Sequence, residues 1–366
     1  MRIVALDDYQ GLVDELRLAD RLADAFDDSA PEGGIADVAP DQPEPSTAEL
    51  DAEEADAVLA EVELADTGLD EVELVALREH LTGDALVSAL AGADVVIAMR
   101  ERTPFDAALL DQLPDLRLLV TTGMGNAAID LTAADARDVL VCGTGGPPSQ
   151  NTAELTWALI LSLLRNVPAE DAAVRAGGWQ HTVGRDLYGA RLGLVGLGRI
   201  GQQMAKIAAA FEMDVVAWSQ HLDPQVAADA GVQPVTKDEL FATSDVVSVH
   251  LKLSDRTRGL IGEPELRAMQ RSAFLVNSSR GPIVDSGALV RALTEGWIAG
   301  AGLDVYDVEP LPAGDPLRTA PRTVLTPHLG YVTERTMDYW YGEIAEDIAA
   351  WRRGEPVRVI SGDPRL

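Results

Sequence analysis

The sequence predicts an α/β protein made of two doubly wound parallel-sheet domains. Short apolar runs of strand length alternate with longer stretches at helical spacing. The 366 residues exceed one average domain and suit two. In the second half, Gly196-Leu197-Gly198-Arg199-Ile200-Gly201 sits between a strand and a helix, where a doubly wound sheet places a glycine turn.

Residues 1–22 read as a strand followed by a helix. Residues 23–73 hold 18 acids and no base. Pro40-Asp41-Gln42-Pro43-Glu44-Pro45 within them is loop chemistry, and residues 46–66 read as a frayed, exposed helix. The stretch is expected to be a solvated insertion, with a recognition arm as the alternative. Beyond Glu73, Ala93–Ala98, Leu116–Gly123 and Val139–Cys142 are apolar runs and hence buried strands. The chain loosens at Gly143-Thr144-Gly145-Gly146-Pro147-Pro148, before an apolar helix over 152–165. Further strands are predicted at Arg191–Val195, Asp214–Trp218, Val246–Leu251, Phe274–Asn277, Ala299–Leu303 and Val324–Thr326. A last helix over 334–352 repeats Met337, Trp340, Ile344, Ile348 and Trp351 at core spacing. The expected organisation is a first domain at 1–147, a dinucleotide domain at 148–328, and a segment at 329–366 that returns to the first domain, with a cleft between the two.

Composition excludes several classes. The net charge of −31 would repel a nucleic acid. No apolar run reaches membrane-spanning length, and the acidic Asp7 and Asp8 come too early for a secretory signal. The single cysteine, Cys142, allows neither a disulfide framework nor a multi-cysteine metal site, so no metal is expected and the compartment is cytoplasmic. Lysine occurs only at 206, 237 and 252; a salt-adapted proteome and an Arg-preferring genome fit this equally.

The glycine motif has a mechanical meaning. Gly196 permits the tight turn, Gly198 lets backbone approach a pyrophosphate, and Gly201 lets helix and strand close up. The helix N-terminus supplies free N–H groups and a positive dipole end. This is a Rossmann-type nucleotide site. Its second strand, ending at Trp218, is followed by Ser219-Gln220-His221, with no acid until Asp223. An acid there would bind the ribose 2′-OH. Ser219 accepts either ribose, so the cofactor is NAD or NADP.

Three residues just beyond strands of the second domain suit hydride transfer at a keto acid. The planar fork of Arg280 matches a carboxylate and polarises the carbonyl. His328 exchanges the alcohol proton, and Glu309 beside it favours the imidazolium. His80 and His181 have no supporting context, His221 lies near the adenosine side, and His250 is structural.

With these residues in place, the chain resembles the D-isomer-specific 2-hydroxyacid dehydrogenase family over nearly its whole length except about 23–73. The resemblance rests on Gly196–Gly201, Asn277-Ser278-Ser279-Arg280-Gly281 and Thr326-Pro327-His328-Leu329-Gly330, in that order. It implies that Arg280, Glu309 and His328 are catalytic and that the first domain is a discontinuous, flavodoxin-like substrate domain. It implies cofactor contacts from Arg199, Ile200, Leu253, Thr257, Ser278, Ser279, Arg280, His328 and Gly330, with Asp304 meeting the nicotinamide carboxamide. It implies that the backbone of Gly123-Met124-Gly125-Asn126 receives the substrate carboxylate and that Arg100 faces the substrate. A small 2-keto or 2-hydroxy acid substrate, a slight preference for NAD and a homodimer formed through the nucleotide domains follow. The chain departs from the family at Ser219, where an acid is usual, and at Lys252, where a proline is common. The C-terminal regulatory domain of phosphoglycerate dehydrogenase-like members is expected to be absent. The alternative function within this fold is a corepressor-like redox sensor that binds dinucleotide.

Overall fold

Each apolar run named above folds as a strand, because its successive side chains are buried on both faces of a sheet. The computed structural model describes residues 1–26, 62–65, 72–146 and 150–360. Two units result, one of Met1–Pro147 with Glu334–Leu366 and one of Pro148–Thr333.

The first unit holds β1 (Arg2–Ala5), β2 (Val62–Ala65), β3 (Glu73–Leu77), β4 (Val95–Ala98), β5 (Leu118–Thr121) and β6 (Leu140–Gly143). Their order is β2-β3-β1-β4-β5-β6. All pairs are parallel except β2 with β3. Without β2 this is the flavodoxin-like order, with a switch point between β1 and β4. Helix caps come from Asp106 and Asp130, whose side chains accept the Leu109 and Ala133 N–H groups, both at 2.9 Å.

The strand β2 corrects the helix expected over 46–66. Val62-Glu63-Leu64 sets one acid between two apolar residues, which suits an edge strand, and β2 pairs Val62 with Leu77 and Leu64 with Val75. The insertion is therefore shorter than 23–73, since Asp24–Phe26 end a helix and Glu73 opens β3. The remainder of the acidic stretch, 27–61 and 66–71, lies outside the described residues.

The helix Glu334–Arg352 packs on the helix Leu18–Phe26 and on β5, burying Met337, Trp340, Tyr341, Ile344 and Ile348. Burial of each such large side chain contributes about 1.5–3 kcal/mol. Trp340 and Tyr341 are thus core residues of this unit. Beyond the helix the chain runs along β6: Gly143 donates to Arg358 O at 3.0 Å and Ile360 to Val141 O at 2.7 Å. The Arg358 side chain donates to the buried Asp347 at 2.9 Å.

The second unit holds β7 (Arg191–Val195), β8 (Asp214–Trp218), β9 (Gln233–Pro234), β10 (Val246–Val249), β11 (Phe274–Asn277), β12 (Gly300–Leu303) and β13 (Thr323–Leu325). The sheet is parallel throughout, in the order β13-β12-β11-β10-β7-β8-β9. This is the Rossmann order with one strand added, and its switch point lies between β7 and β10. The helix Asn151–Arg165 covers β11, β12 and β13 with Trp157, Leu159, Ile160 and Leu163.

Candidate active site

The glycine loop begins where β7 ends, beside the end of β10. Gly196 has φ +106°, and a Cβ there would lie 2.7 Å from His250 O. A Cβ on Gly201 would lie 2.3 Å from Gly196 O. Both positions exclude any side chain. Gly198 differs: it caps the helix Arg199–Ala210, and a Cβ on it meets no atom within 4 Å. The loop is closed toward the protein and open at the helix N-terminus, the shape that suits a pyrophosphate. Arg199 is exposed and Ile200 half-buried. Ser219 follows β8 and is half-buried, its carbonyl accepting Leu222 N–H at 3.2 Å. Thr257 closes its own turn, donating to Lys252 O at 2.8 Å and accepting from Ser254 N–H at 2.8 Å, while Leu253 packs on the core. His250 stacks no chemistry on this site; its Nε2 pairs with Ser248 Oγ at 2.9 Å, and burial pushes its pKa down to about 4.

The strand ends β11, β12 and β13 carry the chemical candidates. His328 Nδ1 lies 2.5 Å from Glu309 Oε2, and Glu309 Oε1 accepts Tyr306 N–H at 2.9 Å. Both side chains keep some access to solvent, 15% for His328 and 23% for Glu309. The ring of Tyr331 stands edge-on to His328, with centroids 5.4 Å apart. His328 has φ +56°, a left-handed backbone that costs a residue with a side chain about 1–3 kcal/mol.

Asp304 holds that conformation. It is fully buried and accepts Thr326 Oγ1–H at 2.6 Å, Leu329 N–H at 2.7 Å and Gly330 N–H at 2.9 Å. Burial pushes its carboxyl above the usual carboxylate range, while the Thr326 and Leu329 donors, the nearby His328 and the Gly330 donor pull the other way. These bonds fix the loop on both sides of His328.

Arg280 is set by its own loop. Asn277 Nδ2 donates to Arg280 O at 2.9 Å, Asn277 Oδ1 accepts Ser279 N–H at 3.0 Å, and Arg280 Nη1 donates to Ser279 O at 2.8 Å. Ser279 Oγ donates to Leu251 O at 2.5 Å. Gly281 presses on the Tyr306 backbone, where a Cβ would lie 2.1 Å from the carbonyl carbon. The Arg280 loop thus abuts the segment that carries Glu309. Ser278 is buried, its hydroxyl 2.6 Å from Thr156 Oγ1.

The candidates of the first unit group separately at the ends of β4 and β5. Arg100 has φ +53°, and its N–H donates to Thr122 Oγ1 at 3.0 Å. Asn126 Nδ2 donates to Arg100 O at 2.7 Å and to Thr121 Oγ1 at 2.9 Å. Gly123, at φ +94°, already donates its N–H to Thr144 Oγ1 at 2.8 Å, so that amide is engaged inside the unit. Met124 is exposed, and a Cβ on Gly125 meets nothing within 4 Å.

One feature of this unit escaped the sequence. Asp7, buried with φ +57° at the end of β1, lies 2.9 Å from His80 Nδ1 and accepts Tyr9 O–H at 3.0 Å and Thr103 Oγ1–H at 3.3 Å. His80 has context after all, but its partner lies 73 positions away. The early acids Asp7 and Asp8 were the available signal. Among the described residues no group of three or more His, Cys, Asp or Glu side chains forms a metal site. None of the described helices is long and apolar enough to cross a membrane.

Comparison with known proteins bears on these groups. A family model described as D-isomer specific 2-hydroxyacid dehydrogenase, NAD binding domain, matches residues 157–330. The glyoxylate reductase of Korarchaeum cryptofilum is 39% identical over 258 residues, covering 69% of this chain and 78% of that one. The D-3-phosphoglycerate dehydrogenase of Methanocaldococcus jannaschii is 34% identical over 301 residues, covering 81% of this chain and 57% of that one. The crystal structure of phosphoglycerate oxidoreductase from Vibrio cholerae O395 superposes with a TM-score of 0.80 at 30% identity, covering 97% of this chain and 99% of that one. The matched domain indicates a nicotinamide dinucleotide as cofactor. A loop shaped for pyrophosphate, a sheet of Rossmann order and relatives of this identity and coverage lead to one assignment: the chain belongs to the D-isomer specific 2-hydroxyacid dehydrogenases, a family of oxidoreductases.

Proposed function

We propose that the protein interconverts a small 2-keto acid and its D-2-hydroxy acid, with His328, Glu309 and Arg280 as the catalytic set. The observation that carries this is the His328–Glu309 pair, 2.5 Å apart and still open to solvent at the C-terminal edge of the sheet. The nicotinamide, when bound, supplies or takes up the hydride at C2. Arg280 holds the carboxylate with its planar fork and polarises the C2 carbonyl. His328 Nδ1 is turned to Glu309, which leaves Nε2 to exchange the proton with the C2 oxygen. In reduction the ring gives that proton to the developing alkoxide; in oxidation it takes it from the alcohol. Glu309 stabilises the imidazolium and fixes the ring's orientation.

Gly196, Gly198, Arg199, Ile200 and Gly201 would hold the pyrophosphate, and Ser219, Leu253 and Thr257 the adenosine end. Ser278, Ser279, Asp304 and Gly330 would frame the nicotinamide end. With no acid and no arginine beside Ser219, both ribose types fit, with a slight preference for NAD. Arg100 and the backbone of Met124, Gly125 and Asn126 would receive the substrate carboxylate, and Gly123 would shape that loop. We further infer a cytoplasmic homodimer formed through the second unit, whose stretch 167–188 exposes Val167, Val174, Trp179, Val183 and Tyr188.

The test is oxidation of NADH and NADPH with a panel of 2-keto acids, beginning with glyoxylate and pyruvate and extending to branched and aromatic ones. His328→Ala is expected to lower turnover by about 10²–10⁴-fold, the usual worth of general acid–base catalysis. An undiminished rate in that variant would remove His328 from the mechanism.

A further inference from the structure

The helix Asn151–Arg165 carries two threonines that touch both catalytic loops of the second unit. Thr152 Oγ1 donates to Gly330 O at 2.9 Å, two residues beyond His328. Thr156 Oγ1 donates to Thr152 O at 2.6 Å and lies 2.6 Å from Ser278 Oγ, two residues before Arg280. Thr156 is fully buried and Ser278 nearly so.

The direction of these bonds follows from proton counting. A carbonyl only accepts, so Thr156 gives its single hydroxyl proton to Thr152 O and Thr152 gives its own to Gly330 O. Thr156 has no second proton, so the bond to Ser278 must run from Ser278 O–H to Thr156 Oγ1. The arrangement is therefore directed, from Ser278 to Thr156 to the Thr152 main-chain carbonyl, with the Thr152 hydroxyl donating separately to Gly330 O. It leaves Ser278 Oγ with lone pairs only, an acceptor toward any ligand donor.

We propose that Thr156 is a positioning residue that sets the Arg280 strand end and the His328 loop in one fixed relation. This rests on the catalytic reading of Arg280 and His328. A threonine that bonds back to the carbonyl four residues earlier is ordinary in helices. The contact with Ser278, and the Thr152 bond to Gly330, are what that habit does not supply. Asp304 holds the His328 loop from the β12 side, while the threonine chain joins that same loop to the end of β11.

The test pairs kinetics with hydrogen exchange. Thr156→Val keeps the shape and removes the hydroxyl; Thr156→Ser keeps the hydroxyl. Thr156→Val is expected to lower kcat by about 10- to 100-fold, the scale of an ångström's misplacement of reacting groups. The KM for the keto acid should change far less, and Thr156→Ser should restore kcat. In a double-mutant cycle, Thr152→Val should add little to Thr156→Val, since each change frees one end of the same helix-turn bridge between the two loops. Amide exchange should quicken in both 274–281 and 326–333. Unchanged kcat in Thr156→Val, a loss that Ser does not restore, or additive effects would overturn the proposal. So would faster exchange confined to the helix. A wild-type chain that reduces no 2-keto acid would refute the catalytic reading, and the exchange result would still decide whether Thr156 couples the two loops.

Discussion

Glu309 is bonded to His328 through one carboxylate oxygen and to the Tyr306 backbone through the other, at 2.5 and 2.9 Å. The carboxylate is thereby fixed before it fixes the ring. Its two contributions, orientation and charge, can be separated.

Glu309→Gln keeps an oxygen that can accept from Nδ1 and removes the negative charge. We expect kcat to fall by about 10- to 100-fold, less than the loss of the acid–base group itself would cost. Glu309→Ala removes the orienting bond as well and should fall further. Steady-state rates at saturating cofactor check both. A glutamine variant with wild-type kcat would show that the charge is dispensable.

The glycines of the nucleotide loop make a second, opposed pair. Gly201→Ala would place a Cβ 2.3 Å from Gly196 O, whereas Gly198→Ala meets no protein atom within 4 Å. Gly198→Ala should leave the melting temperature nearly unchanged yet weaken dinucleotide binding by tenfold or more, on the order of 1.4 kcal/mol. Gly201→Ala should lower the melting temperature, since forced overpacking costs about 1–3 kcal/mol or more. Thermal melts with and without NADH separate the two effects. Equal melting temperatures for the two apo variants would contradict the geometry.

Why the sequence was legible in some places and not in others follows from locality. The Rossmann strands were visible because buried parallel strands are unbroken apolar runs, and Arg191–Val195, Asp214–Trp218 and Phe274–Asn277 fold with the predicted bounds. The helix Glu334–Arg352 was visible from its 3.6-residue spacing. The edge strand β2 was hidden because its four residues sit within an acidic stretch that reads as solvated, although it pairs with β3, the next strand along the chain. Within the candidate site, Glu309 and His328 are 19 residues apart, each flagged by its place after a strand. The Asp7–His80 and Thr156–Ser278 contacts span 73 and 122 positions and leave no local pattern. The return of 358–360 along β6 was hidden for the same reason, and β9 because two residues carry no pattern.

Asp347 predicts a pH dependence of stability. It is fully buried, and burial pushes its carboxyl up to about 7 against the pull of Arg358. Unfolded, the same carboxyl ionises near 3.8. Between these values the folded chain binds the extra proton, so this group's contribution falls as pH rises from about 4 to 7. Asp8, pushed up to about 6 by burial, acts in the same sense. His250, pushed down to about 4, acts in the opposite sense between about 4 and 6.5. Asp347→Asn isolates one share. Its unfolding free energy relative to the wild type should improve by up to about 4 kcal/mol between pH 4 and 8, at about 1.4 kcal/mol per pH unit. Urea unfolding at several pH values measures this. A difference that stays flat with pH would mean that Asp347 is ionised throughout.

The exposed apolar side chains of the second unit lead to a prediction about assembly. Trp179 is 76% exposed, Val183 94% and Tyr188 74%, within one stretch that also exposes Val167 and Val174. Singly scattered exposed apolar residues are ordinary, whereas a contiguous patch of large ones marks a surface that a partner covers, and five such residues fall within 167–188. Since the inferred homodimer forms through this unit, these residues should lie in its interface, where buried aromatics dominate binding. Light scattering coupled to gel filtration should give twice the 38.9 kDa chain mass for the wild type. Trp179→Asp places a charge in the proposed interface and should shift the mass to one chain, or make it depend on concentration in the micromolar range. Because Trp179 is largely exposed in the single chain, the change should leave the circular dichroism spectrum intact. Asp at Val308, also exposed but outside this stretch, serves as the control and should leave the mass unchanged. A Trp179→Asp variant that stays dimeric would move the interface elsewhere, and a monomeric wild type would refute the dimer itself.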